Sequence, residues 1–222
     1  MLEKGWHIYW INPGDSGQPP SLQLQLPGGF TAGEIQWPRP ERMQSSAELA
    51  DYGYHGEALL MVTIHAPQFI NNESLRGLRF AVEAKWLVCR EVCIPEHAGL
   101  ELFLHSGATK ENPDTAKLFA DAEKLLPVAM PHGWKAEAES RKDDFLLTIA
   151  GKQLTKAVFF PLVPGQIDNP APQKLQPTAS GAKITLRKSD LLLKPINVLR
   201  GVLVVPGGPA YRIEAPVRQP IQ

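Results

Sequence analysis

Hydrophobic and polar residues alternate with a period of two along much of this chain. In "SLQLQL", residues 21–26, Leu22, Leu24 and Leu26 fall on one side and polar residues on the other, the pattern of a half-buried strand. "WHIYWI", residues 6–11, is rich in aromatic and β-branched side chains that suit a pleated surface. Further runs of the same kind follow at short intervals: "EIQW", "ALLMVTI", "LRFAVEAKWLVC" and "LELFLH", then "FLLTIA", "KAVFFPLV", "AKITLR" and "RGVLVVPG". Turn-forming segments separate them, among them "NPGDSGQPP" at 12–20 and "PGQIDNPAPQ". Many short strands divided by turns predict a mainly-β fold of the immunoglobulin-like sandwich type.

The period changes to that of a helix once. In "PDTAKLFADAEKLL", Leu118, Phe119, Ala122, Leu125 and Leu126 share one face, with Pro113 and Asp114 at the start and Pro127 as the stop. This helix divides the strands into two sets. The expected organisation is a first sandwich over residues 1–112, a helix and linker over 113–130, and a second sandwich over 131–222. At 222 residues the chain is long enough for two modest cores.

Composition narrows the function. Lys and Arg number 23 and so do Asp and Glu, with no basic block to neutralise a run of phosphates, so nucleic acid is not an expected partner. No stretch of about 18 uncharged apolar residues occurs, nor does a basic segment leading into an apolar one at the start, which reads as a soluble chain without an export signal. "PGGP" at 206–209 lacks the lysine and spacing of a phosphate-binding loop, and no G-x-S-x-G elbow is present. No cofactor is expected.

The chemistry is concentrated in "KWLVCREVCIPE", residues 85–96, which holds the chain's two cysteines, Cys89 and Cys93. A bond between them closes a ring too small to brace the fold, because the entropic gain from a cross-link grows with the loop it closes. A short loop instead favours a bond that is easily reduced, as an exchange or relay disulfide requires. Structural and metal-binding alternatives stand beside that reading. Metal binding needs further ligands, for which His7, His55, His65, His97 and His105 are candidates, although two thiolates alone suit Cu(I). Among the neighbours, Arg90 favours a thiolate and Glu91 opposes it, Trp86 and Ile94 exclude water, and Pro95 fixes the strand's exit.

Three blocks in order, "GWHIYWINPGDSGQPP", "DYGYHGEALLMVTI" and "KWLVCREVCIPE", resemble the periplasmic N-terminal region of DsbD-type thiol:disulfide interchange proteins, especially the suppressor of copper sensitivity protein B branch. The resemblance implies an immunoglobulin-like domain that takes electrons from a membrane-embedded donor domain and passes them to thioredoxin-like periplasmic proteins. It implies that Cys93 attacks and Cys89 resolves. It also implies a mobile cap loop with an aromatic residue over the disulfide, for which Tyr52 and Tyr54 in "ELADYGYHG" stand in place, and Gly53 and Gly56 make that stretch read as a loop. On the first strand the resemblance implies an aromatic-x-aromatic pair beside the cysteines, and His7 and Tyr9 stand at that place here, with histidine replacing one aromatic. The rival from another class is a periplasmic binding module, for a protein or Cu(I), whose cysteine pair is structural or ligates the metal.

Overall fold

The computed structural model of the chain describes residues 2–44, 46–68, 77–104 and 112–220. The first eight strands are β1 (His7–Gly14), β2 (Ser21–Gln25), β3 (Thr31–Gln36), β4 (Glu41–Gln44), β5 (Ala50–His55), β6 (Met61–His65), β7 (Leu78–Cys89) and β8 (Cys93–Leu104). The helix α1 (Pro113–Glu123) follows, and then β9 (Val128–Ala129), β10 (Lys135–Ser140), β11 (Asp144–Ala150), β12 (Val158–Pro161), β13 (Lys174–Thr178), β14 (Gly181–Arg187), β15 (Val198–Val204) and β16 (Ala210–Arg218). The expected mainly-β architecture with one helix is what the chain adopts.

The chain forms two compact units. One comprises Met1–Trp10, Gly17–Pro38 and Tyr54–Leu126; the other comprises Ile11–Ser16, Arg39–Gly53 and Pro127–Gln222. The first unit is built on the long β7–β8 hairpin. β8 lines one edge of β7, while on the other edge β2 lies opposite Ala81–Lys85 and His7 of β1 lies opposite Cys89. β3 and β6 form a separate two-stranded ladder. β8 has β7 as its one strand partner among the described residues, so it is an edge strand.

The second unit carries a larger core. Its strands run in the order β12-β15-β16-β10-β11-β14-β13, with β9 added beside β16. Phe145, Leu147, Ile149, Phe159, Ile184, Leu186, Leu199, Leu203 and Ile213 are buried at its centre. Each such side chain withdrawn from water contributes about 1.5–3 kcal/mol. β10 follows the period-two rule with small residues, burying Ala136 and Ala138 and exposing Lys135, Glu137 and Glu139.

Two local expectations are corrected. "ELADYGYHG" reads as a loop because of Gly53 and Gly56, yet Ala50–His55 is strand β5, paired with β4 through Glu41–Gly53 to Gln44–Ala50. Its first five residues are all buried, so no alternation marks it in the sequence. Pro95, expected at a strand exit, lies inside β8 opposite Leu87.

The helix begins where proline and its neighbours predict. The Asn112 side chain accepts hydrogen bonds from the backbone N–H groups of Asp114 and Thr115, satisfying donors that the first turn leaves without partners. Replacing Asn112 by alanine is expected to cost about 1 kcal/mol and to raise amide exchange in the first turn of α1. Exchange rates unchanged at residues 114–116 would contradict this.

Candidate functional site

β7 and β8 pair residue for residue from Leu78–Leu104 to Cys89–Cys93, and the cysteines occupy the last rung before the turn. Arg90, Glu91 and Val92 make that turn. The Arg90 N–H donates to the Val92 carbonyl at 3.2 Å. This bond lies outside the cysteine rung, which makes Cys89–Cys93 a non-hydrogen-bonded pair, the closer of the two antiparallel pair types. Their Cα atoms are 4.2 Å apart and their sulfurs are bonded. Two residues on, Leu87–Pro95 is a pair of the same type. The nitrogen of Pro95 therefore faces away from β7, and the ladder loses no bond to its missing N–H.

The two sulfurs differ in access. Cys89 is 2% exposed. Cys93 opens to solvent, beside the exposed side chains of Val92 and Ile94. Beneath Cys93 stands Tyr9, itself 1% exposed, with its hydroxyl oxygen 3.6 Å from Cys93 Sγ. A sulfur in a disulfide carries no proton, so the phenol is the donor.

Neighbouring residues hold the Tyr9 ring. The His7 ring meets it edge-on at 5.2 Å, and the His55 ring meets His7 at 5.9 Å. Gly17, at φ +73°, lies so close that a Cβ there would fall 2.0 Å from the tyrosine Cζ. On the turn, the Arg90 guanidinium lies over the Trp6 ring at 5.3 Å.

The other expected site residues are placed as follows. Trp86 is half-buried opposite Glu96, Glu91 is exposed in the turn, and Pro95 is exposed on β8. Tyr52 and Tyr54 are buried in β5 with their hydroxyls engaged elsewhere. Tyr52 donates to Asn169 Oδ1 at 2.9 Å and Tyr54 to the Pro38 carbonyl at 2.9 Å. Burial pushes both phenols well above the ordinary tyrosine range. For Tyr52 the Arg42 cation opposes the shift, while Asp15 and Asp168 add to it. The hydroxyl on the disulfide belongs to Tyr9.

Of the metal-ligand candidates, His55 packs on His7, whereas His65 lies opposite Thr31 and His97 opposite Lys85 on exposed strand positions. His105 lies outside the described residues. Among the described residues no three His, Cys, Asp or Glu side chains are grouped to hold a metal ion. No described helix is long and apolar enough to cross a membrane.

The family model described as thiol:disulfide interchange protein DsbD, N-terminal, matches residues 1–105. Over those residues the chain is similar to the DsbD N-terminal family. The fold agrees over nearly the whole chain with the N-terminal periplasmic domain of ScsB from Proteus mirabilis. That likeness has a TM-score of 0.72 at 17% identity and covers 99% of this chain and 85% of that one. No curated protein matches the chain. The chain thus carries a thiol:disulfide interchange module of DsbD type, and its sandwich is immunoglobulin-like. The resemblance places Tyr9 beside the cysteines, but the contact of its hydroxyl with Cys93 and the close approach of Gly17 are not legible in the sequence. The available signal was "NPGDSG", where a glycine in a turn is free to approach a ring closely.

Proposed function

We propose that the chain is a periplasmic electron-relay module in which the Cys89–Cys93 couple takes two electrons from a membrane-embedded donor domain and reduces thioredoxin-like proteins. In the reduced form the Cys93 thiolate attacks a partner disulfide. A Cys93–partner bond forms, the partner's own S–S bond breaks, and one partner sulfur leaves as a thiolate. Cys89 then attacks Cys93 Sγ, restoring the internal bond and releasing the second partner sulfur. The partner ends as a dithiol and this chain as a disulfide, with both electrons transferred.

One observation carries this reading: the exposed sulfur and the buried one are neighbours on a single rung, so a visiting disulfide meets Cys93 first and Cys89 waits behind it. A bond there adds little constraint to a hairpin that its own ladder already closes, which argues against bracing as its purpose.

Equilibration against glutathione provides the test. The couple is expected to have a potential above about −300 mV, in the range of exchangeable rather than structural bonds. A lower potential, or a bond that glutathione leaves oxidised at every ratio, would return the pair to a structural role.

A further inference from the structure

Tyr9 enters strand β1 beside a histidine and disappears into the interior, where a phenol needs a partner for its hydroxyl. The hydroxyl points at the one sulfur that a visiting protein can reach. Gly17 holds the other side of the ring at a distance no side chain tolerates, and the His7 ring closes its edge. This buried donor is therefore aimed from inside at an atom attacked from outside.

We infer that Tyr9 is a catalytic residue of the exchange reaction, its hydroxyl donating a hydrogen bond to the Cys93 thiolate of the reduced protein, with Gly17 and His7 positioning the ring. The inference rests on the exchange function proposed above. A hydrogen bond to a charged form favours that form, so the phenol lowers the proton affinity of Cys93 while keeping its own proton. No electron or group passes through Tyr9. Its contribution is the fraction of Cys93 ready to attack at neutral pH. The charged and titratable groups nearby are Arg90 and Glu91 on the turn and His7 and His55 beside the ring, and all remain when the phenol oxygen alone is removed.

The test compares Tyr9 with Tyr9→Phe in a Cys89→Ser background, where Cys93 is the sole thiol, by following thiolate absorbance against pH. Loss of the bond is expected to raise the Cys93 midpoint by about one pH unit, a tenfold change in the thiolate fraction below it. A fluorinated tyrosine at position 9, a stronger donor, moves the midpoint the other way. With both cysteines present, the reduced Tyr9→Phe protein has a distinctive rate profile toward oxidised glutathione. Below the midpoint it reacts about threefold more slowly, because tenfold less thiolate is partly offset by greater intrinsic nucleophilicity. Above the midpoint, where ionisation is complete, it reacts about threefold faster. That crossing is not produced by a loss of packing. An unmoved midpoint in both Tyr9 variants overturns the inference. A parent protein inert toward glutathione instead overturns the exchange function, and the Cys93 midpoint still reports on Tyr9 independently.

Discussion

Cys93→Ser is expected to abolish reduction of a thioredoxin-like disulfide, and Cys89→Ser to stop the reaction half-way. The two outcomes differ because one sulfur is exposed and the other is 2% exposed behind it. Without Cys93 no sulfur meets the partner. Without Cys89 the outer sulfur still attacks, but nothing displaces the partner from it, and a covalent complex accumulates. Electrophoresis without reductant reads this directly as a species with the summed mass, lost on adding dithiothreitol. If each single mutant reduced the partner as fast as the parent, the assigned order of attack would be wrong. A covalent complex on Cys89 in the Cys93→Ser protein would reverse it.

The largest expected loss of stability lies in the second unit. Leu147 is wholly buried in β11, between Ala138 of β10 and Ile184 of β14. Truncation to alanine removes buried methyl groups and leaves a cavity in a packed sheet interior, at a cost of about 2–5 kcal/mol. In urea the unfolding transition of this unit is expected to shift to a correspondingly lower concentration at unchanged slope. A shift equivalent to less than about 1 kcal/mol would mean that the core around Leu147 collapses to fill the space, contrary to its dense packing.

The strands that announce themselves in the sequence are those whose two faces differ or whose residues are uniformly apolar. β2 shows alternating leucines, and "FLLTIA" and "RGVLVVPG" are rich in Ile, Val and Leu; these became β2, β11 and β15. β10 escaped notice because its inward positions are Ala136 and Ala138, and alanine is a weak strand former whose small size suits the sheet interior. β16 was hidden by Pro216 near its end, and β5 by Gly53 within its ladder. Proline and glycine discourage strands locally, yet tertiary pairing overrides them where no lost N–H bond or empty face results. In β8, Pro95 shows the same principle from the geometry of a single rung.

At the site, residue spacing was sufficient to place two sulfurs within reach but not to say which one faces water. Both lie in one short segment; their difference in exposure comes from β1, which covers Cys89 through His7 and leaves Cys93 at the start of an edge strand. The tyrosine directed at the sulfur is separated from Cys93 by 84 positions in the chain, and the hydroxyl's direction depends on a ring clamped by Gly17. Such a relation exists only after the strands have paired.

The hairpin ladder outlasts the bond it ends in. The backbone rungs from Leu78–Leu104 to Val88–Ile94 do not depend on the sulfur–sulfur bond, so parting the sulfurs is expected to leave position 89 held against position 93. The inner thiol then confronts anything attached to the outer one at an effective molarity that no dissolved thiol attains. In the exchange proposed above, a small thiol that caps Cys93 is expected to be displaced by Cys89 in the same way, with the internal bond re-formed.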